Sequence, residues 1–128
     1  EYRQALGIAL EARLLDKLRE AVQRSGDDGR HALLRYCHTQ CVDTIESLAW
    51  RQDVLRALVE QYAALAAPDH LSMCQCLVAL DDDAAVARVL RELCAARRHE
   101  HALLALQIAF DLVDQATQRF CVAVRDAV

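Results

Sequence analysis

Glycine, proline and aromatic residues are all scarce in this sequence. Its 128 residues include three glycines, one proline and six aromatic side chains. Domains rich in β-sheet need frequent glycine and proline at their turns, so this scarcity argues against an all-β or α/β fold. The sequence also has no run of 18 uncharged apolar residues, which argues against a membrane-spanning helix.

A basic excess is missing as well. Fifteen Lys and Arg residues stand against nineteen Asp and Glu residues, which leaves a formal net charge of −4. Surfaces that bind nucleic acid or anionic membranes carry a surplus of basic side chains, so we expect neither as a partner. Hydrophobic residues make up 55% of the chain, a content that excludes intrinsic disorder.

What the sequence does contain is apolar residues at helical spacing. Tyr2, Ala5, Leu6 and Ala9 follow the i, i+3, i+4, i+7 spacing of one helix face. Seven further apolar stripes lie at residues 15–22, 34–48, 55–66, 69–80, 86–94, 102–113 and 120–128. The spacing predicts an all-α chain of about seven to eight helices.

Short polar segments and the single proline mark the predicted helix boundaries. Residues 25–29 interrupt the second stripe, and Asp28 is expected to cap the third helix. Pro68 ends the fourth helix, and Asp69 can cap the fifth. The acidic run at residues 81–83 is expected to start the sixth helix, where carboxylates interact favourably with the helix dipole.

The seventh stripe is apolar on most of its sides. Between residues 102 and 113 only Gln107 and Asp111 are polar. A helix of this kind is covered on most of its surface, so we expect it in an inner layer. The segment ALQIAFD at residues 105–111 also echoes ALGIALE at residues 5–11. Such echoes between helix pairs are typical of an α-solenoid.

The six cysteines do not have the setting of a disulfide framework. Cys37, Cys41, Cys94 and Cys121 lie within apolar helical stripes, whereas small disulfide-rich domains combine cysteine with loops rich in glycine and proline. We therefore expect thiols that pack in the core like small hydrophobic side chains, in a reducing compartment.

No motif in the sequence predicts a catalytic, cofactor-binding or metal site. Cys74 and Cys76 point to nearly opposite faces of one helix, so they cannot chelate a metal ion as a pair. Residues 81–83 lack the alternating ligands and the glycine of a calcium loop. We therefore expect no enzyme activity. The alternative from another functional class is a metal-binding or thiol-redox helical domain. Stoichiometric zinc in the purified protein would favour this alternative over packed core thiols.

The densest polar cluster is the run from residue 97 to residue 101. Its ordinary interpretation is a solvated turn with basic residues at the carboxyl end of a helix. The alternative is a contact for a partner protein. The candidate partner-contact residues are Arg97, Arg98, His99 and His101.

Four segments of the sequence, taken in order, resemble a known family. They are YRQALGIALE at residues 2–11, VLRALV at 54–59, CQCLVALDD at 74–82 and QIAFDL at 107–112. The family is that of the largest non-ATPase scaffold subunits of the base of the 26S proteasome regulatory particle. The resemblance runs from about Tyr2 to Val124 and is weakest between residues 25 and 50. Its most specific part is the CQCL run before two aspartates.

The resemblance implies an α-solenoid, in which antiparallel helix pairs stack into a right-handed superhelical rod. Residues 1–128 are then a single helical-repeat segment excised from a longer chain. The segment is expected at the end of an amino-terminal rod, upstream of a toroid of proteasome/cyclosome repeats.

The implied function is non-catalytic scaffolding in ubiquitin-dependent protein degradation. Its expected partners are base and lid subunits, and its expected location is the cytoplasm and the nucleus. An unrelated α-solenoid adaptor is the alternative within binding proteins.

A segment cut from a solenoid is also expected to self-associate through its exposed ends, because only capping repeats carry a polar outer side. The predicted apolar ends are helix one, with Tyr2, Leu6 and Leu10, and helix eight, with Phe120 and Val124.

Overall fold

The computed structural model describes residues 2–128, with every side chain in that range except those of residues 27 and 28. Helices make up 82% of the chain, and no strand occurs among the residues described. The eight helices are α1 (Tyr2–Glu11), α2 (Leu15–Arg24), α3 (Gly26–Thr44), α4 (Leu48–Ala63), α5 (His70–Ala79), α6 (Asp83–Ala95), α7 (His99–Gln115) and α8 (Gln118–Ala127). The all-α fold class and the helix number predicted from the 3.6-residue spacing are confirmed.

The chain divides into two compact units, and the first ends at Asp69. Within it, α1 packs against α2 and α3, and α4 packs against α2 and α3. Its most deeply buried side chains are Leu6, Leu18, Val22, Leu34, Cys37, Cys41, Val54, Leu55, Ala57, Leu58 and Tyr62. Burying one aliphatic side chain of this kind contributes about 1.5–3 kcal/mol, so the apolar stripes read from the sequence stabilise this unit.

A polar contact joins the start of α3 to the last residue of the first unit. Nε2 of His31 lies 2.6 Å from Oδ2 of Asp69. The ring of Tyr62 meets the His31 ring edge-on, with the ring centroids 6.2 Å apart. Because α5 begins at His70, directly after Asp69, the predicted start of the fifth helix is confirmed. Helix α4 ends at Ala63, five residues before Pro68, so the predicted end of the fourth helix is wrong.

The second unit runs from His70 to Val128 and is built around α6. Helix α6 packs against α5, α7 and α8, and α7 also contacts α5 and α8. The acidic run starts α6 as predicted, because Oδ1 of Asp82 accepts a hydrogen bond from the backbone N–H of Ala85 at 3.1 Å. The core of this unit consists of Cys74, Cys76, Leu77, Val86, Ala87, Val89, Leu90, Leu93, Ala105, Ile108, Leu112, Phe120 and Val124.

Two positions after the end of α1, α5 and α6 lies a residue that adopts the left-handed conformation without being glycine. These residues are Arg13 (φ 57°), Asp81 (φ 57°) and Arg97 (φ 50°). After α1, the N–H of Leu14 donates to the carbonyl of Ala9 at 2.9 Å, and after α5 the N–H of Asp82 donates to the carbonyl of Leu77 at 3.0 Å. Such bonds satisfy carbonyls left open at a helix end and reverse the chain within a few residues. The helices joined in this way form the close pairs α1–α2 and α5–α6.

Two predicted boundaries of the third helix are wrong. Helix α3 begins at Gly26, so the break after α2 consists of Ser25 alone. Asp28 therefore does not occupy the cap position, and its side chain lies outside those described. At the other end, α3 stops at Thr44 and Leu48 is the first residue of α4. The apolar stripe from residue 34 to residue 48, which the sequence analysis assigned to one helix, therefore belongs to two helices, α3 and α4.

Sequential helices packed in pairs within each unit are the building elements of an α-solenoid. The right-handed sense of a superhelix, and the assignment of residues 1–128 to one continuous segment, stay predictions. None of the helices between residues 2 and 128 is both long enough and apolar enough to cross a bilayer.

Candidate functional site

The predicted partner-contact residues lie at the turn between α6 and α7. Helix α6 ends at Ala95, and α7 begins at His99. Arg97 adopts the left-handed conformation, and its N–H points back to the carbonyl of Cys94 at 3.4 Å. Arg98 is extended, and its carbonyl accepts the N–H of Ala102 at 3.0 Å. The backbone of both arginines is therefore fixed by a defined turn.

The turn presents three of the four predicted side chains to solvent. Arg97, Arg98 and His99 are exposed, whereas His101 is half-buried. Nδ1 of His101 is buried and has no hydrogen-bond partner in the structure. Guanidinium groups recognise carboxylates through paired hydrogen bonds, so the exposed part of this cluster suits an acidic partner surface. His99 lies in the first turn of α7 rather than at the end of α6, which corrects its predicted place.

The cysteines occupy three different environments, and all six are thiols. Cys37, Cys41, Cys74 and Cys76 are buried, and Cys121 is partly buried. Cys94 is exposed in the last turn of α6, so its predicted core position is wrong. A thiol at a helix end can face solvent even when it belongs to an apolar stripe, because a packed neighbour does not cover every turn.

Burial makes two of these thiols poor nucleophiles. It raises the pKa of Cys41 to about 11, although the positive charge of Arg51 acts in the opposite direction. Burial also raises the pKa of Cys74 to about 12. Since the thiolate is the reactive form, both groups are protonated and inert at neutral pH. In the described part of the chain, no three His, Cys, Asp or Glu side chains are grouped so that they could hold a metal ion.

A small cavity lies between α5 and α7. It has a volume of about 40 Å³ and is lined by Leu71, Cys74, Gln75, Val78, Ile108, Asp111, Leu112 and Gln115. Nε2 of Gln75 and Oδ2 of Asp111 lie 3.4 Å apart at this cavity. Small-molecule sites enclose roughly 300–1,000 Å³, so this cavity is a packing gap between two helices.

Helix α7 carries a large exposed apolar face that the sequence prediction missed. Leu103 and Leu106 are 54% and 56% exposed, and Phe110 and Val113 are each 72% exposed. The inner-layer position predicted for this helix is therefore wrong within residues 2–128. The signal for the exposed face was available in the spacing, because 103, 106, 110 and 113 follow the 3-4-3 pattern of a helix–helix seam.

The predicted apolar ends are also placed differently. Leu6, Leu10, Phe120 and Val124 are buried, so the expectation that they form exposed ends is wrong. They face neighbouring helices within their own units and stabilise those units. On α1 the exposed large apolar side chains are Tyr2, which was predicted, and Ile8, which was not and is 67% exposed. Tyr2 and Leu14, which line the same groove between α1 and α2, are partly exposed at 41% and 49%.

Helix pairs joined by tight turns and packed into compact units define a helical-repeat protein. The family described as 26S proteasome subunit RPN2, N-terminal domain, matches residues 1–128. The chain belongs to this family, and the resemblance found in the sequence is confirmed.

Individual relatives support the same assignment. The chain is 45% identical over 126 residues to 26S proteasome non-ATPase regulatory subunit 1 homolog A of Arabidopsis thaliana, with 98% of this chain and 12% of that protein covered. It is 44% identical over 120 residues to 26S proteasome non-ATPase regulatory subunit 1 of Drosophila melanogaster, with 94% and 12% covered. For 26S proteasome regulatory subunit rpn2 of Schizosaccharomyces pombe the identity is 32% over 126 residues, with 98% and 13% covered. The chain thus spans 12–13% of the length of these relatives.

Proposed function

We propose that this chain is a structural scaffold segment of the 26S proteasome regulatory particle, within a non-ATPase regulatory subunit. The observation that carries the proposal is the 45% identity to such a subunit over 98% of the chain. The helix pairs support it, because repeated helix-on-helix packing gives a stiff body that can fix the distance between attached proteins. The family match disfavours both an unrelated α-solenoid adaptor and a metal-binding or thiol-redox domain.

The finer parts of the proposal concern partners and place. The segment acts without catalysis, belongs to the base and contributes contacts to base and lid subunits. It works in the cytoplasm and the nucleus, in ubiquitin-dependent protein degradation. Support for these points comes from the family to which the chain belongs, since its relatives are named as regulatory subunits of the 26S proteasome.

The scaffold role can be tested in cells whose full-length subunit carries an affinity tag. Purification is expected to recover base and lid subunits, as measured by quantitative mass spectrometry. Leu58→Asp places a charge in the core of the first unit, where Leu58 is fully buried, and is expected to reduce the amount of assembled particle. Arg88→Glu, at an exposed position of α6, is the control. Normal assembly with Leu58→Asp would contradict the proposal, as would ATP or peptide hydrolysis by the purified subunit.

The exposed basic turn supports a second, more local proposal. The exposed side chains of Arg97, Arg98 and His99, together with the half-buried His101, form a contact for an acidic surface of another regulatory-particle subunit. The double substitution Arg97→Glu and Arg98→Glu is expected to lower recovery of one partner subunit and leave the helical content unchanged. Arg88→Glu changes charge by the same sign on the preceding helix and serves as the matched control. Equal recovery of all subunits with both variants would show that the turn is only solvated.

A further inference from the structure

The strongest unexplained feature of the structure is the exposed apolar face of α7. We define this face by Leu103, Leu106, Phe110 and Val113, each more than half exposed. They lie on one side of the helix over about three turns, a length of about 15 Å. Four large apolar side chains in a continuous stripe are unusual on a free surface, and such patches mark binding sites.

The chemistry around the α7 face indicates a permanent neighbour. A helical projection places Ala102 and Ala109 along one edge of the face and Gln107 and Asp114 along the other. The central stripe contains no charged side chain. Interfaces that form and dissociate are about as polar as the rest of a protein surface, whereas permanent ones are apolar and poor in charge at their centre. Small alanines along one edge also allow a second helix to approach closely.

The face continues a helix layer that already exists in the second unit. Helix α5 packs on α7 through the side that carries Ile108 and Leu112, which are buried. The α7 face lies on a different side of the helix, away from these two residues. A further helix on this face would extend the α5–α7 layer by the same kind of contact, which is how repeats add in a solenoid.

We infer that a helix of the same polypeptide, carboxyl-terminal to Val128, covers the α7 face in the full-length subunit. The matching family is an N-terminal domain, and the chain corresponds to 12–13% of its relatives, so ample chain on the carboxyl side is available. The covering helix carries its own apolar stripe at the i, i+3, i+4, i+7 spacing, which packs between Leu106 and Phe110. The α7 face is thus an intramolecular packing surface rather than a docking site for another subunit.

The inference can be tested on the purified full-length subunit by site-resolved thiol labelling. Leu106→Cys introduces a thiol into the face, and Arg119→Cys places one at an exposed position of α8 outside it. Labelling at residue 106 is expected to be at least roughly tenfold slower in the native subunit than in the unfolded chain, whereas residue 119 reacts rapidly in both. Fast labelling at residue 106 in the purified subunit would overturn the inference. Protection that arises only in the assembled particle would instead assign the face to another subunit.

Photo-crosslinking identifies the helix that covers the face. A benzoylphenylalanine at position 110 keeps an aromatic ring where Phe110 stands, and the same residue at position 119 is the control. The expected product from position 110 is a crosslink within one polypeptide, to a peptide carboxyl-terminal to residue 128, with no increase in mass on a denaturing gel. A crosslink to a second copy or to a different subunit would overturn the inference. If benzoylphenylalanine at position 110 prevents folding, the Leu106→Cys labelling still tests whether the face is covered.

Discussion

The indole of Trp50 donates a hydrogen bond from Nε1 to the backbone carbonyl of Leu10 at a distance of 3.2 Å. The two residues are 40 positions apart, and the bond joins the third residue of α4 to the last turn of α1. Trp50 is 8% exposed, so the bond is shielded from water. The same side chain therefore fills space in the core and donates to a carbonyl near the end of α1 that also accepts the N–H of Arg13 at 3.4 Å.

We predict that Trp50→Phe destabilises the chain. Phenylalanine keeps an aromatic ring but removes the buried indole hydrogen bond to the Leu10 carbonyl, which still accepts the N–H of Arg13, so the expected cost is about 0.5–1.5 kcal/mol. Urea unfolding followed by circular dichroism measures the effect, since Trp50 is the single tryptophan and the substitution removes the fluorescent probe. Leu48→Ala, at a side chain of α4 that is 64% exposed, is the control and is expected to change the stability by less than about 0.5 kcal/mol. Equal effects of the two substitutions would contradict the prediction.

A second prediction concerns the left-handed Arg13 after α1. At φ 57° a side chain with a Cβ pays a steric cost of about 1–2 kcal/mol that glycine avoids. Glycine also loses more chain entropy on folding, so Arg13→Gly is expected to raise the free energy of unfolding by a net amount of at most about 1 kcal/mol. Arg13→Ala removes the same charge and keeps the Cβ, which makes it the matched control. The prediction fails if alanine stabilises the chain as much as glycine does.

The sequence was sufficient wherever a boundary rests on local chemistry. Asp69, and the acidic run before α6, mark helix starts through their own residue preferences. Pro68 did not locate the end of α4, because that helix stops at Ala63. The break after α2 was placed less well, because Gly26 at φ 74° lets α3 begin at once. Local residue preferences therefore located the helices, with errors of a few residues at their ends.

Burial was harder to predict, because it depends on which helices surround a given face. The apolar pattern of α7 predicted an inner helix, yet Phe110 is 72% exposed. Periodicity reveals that a face is apolar and cannot reveal whether residues 2–128 supply its neighbour. Cys94 shows the same limit at the end of α6, where an apolar stripe reaches beyond its packing partners. The basic turn was found from charge density alone, and the partial burial of His101 required the fold.

The cysteine environments predict selective labelling of the native chain. Cys94 is exposed and is expected to react first with a maleimide at neutral pH, whereas Cys41 and Cys74 react only after unfolding because they are buried and their pKa values are raised. Mass spectrometry of digested protein after brief labelling measures the order. Cys94→Ala is expected to abolish the fast phase and leave the slow one. Rapid native labelling of Cys74 would contradict the burial described here.

The same pKa shifts predict that alkaline pH weakens the fold. In the unfolded chain a cysteine ionises near a pKa of about 8.5, whereas burial holds the folded pKa at about 11 for Cys41 and about 12 for Cys74. Below the unfolded value both states are protonated and the stability is unaffected. Above it the unfolded chain loses protons first, so each thiol lowers the stability by up to about 1.4 kcal/mol per pH unit until the folded pKa is reached.

The test compares urea unfolding between pH 8 and pH 10.5 for the wild type and the double variant Cys41→Ala and Cys74→Ala. Tyrosine and lysine titrate equally in both proteins, so their contribution cancels in the difference. The double variant is expected to be less stable at pH 8, because two buried side chains lose a sulfur atom. Its stability is expected to fall less steeply as the pH rises. Parallel slopes would show that neither thiol has a raised pKa.

The exposed α7 face makes the final prediction, which concerns the isolated 128-residue chain. Without the helix that we infer from the full-length subunit, Leu106 and Phe110 remain exposed, and two copies can cover each other's faces. Sedimentation at increasing concentration is therefore expected to show self-association, and Phe110→Glu is expected to yield a monomer with unchanged helical content. Leu6→Glu is the contrasting variant, because Leu6 is fully buried and a charge there is expected to unfold the first unit. If the wild type stays monomeric, or if Phe110→Glu associates as strongly as the wild type, the α7 face does not drive the association.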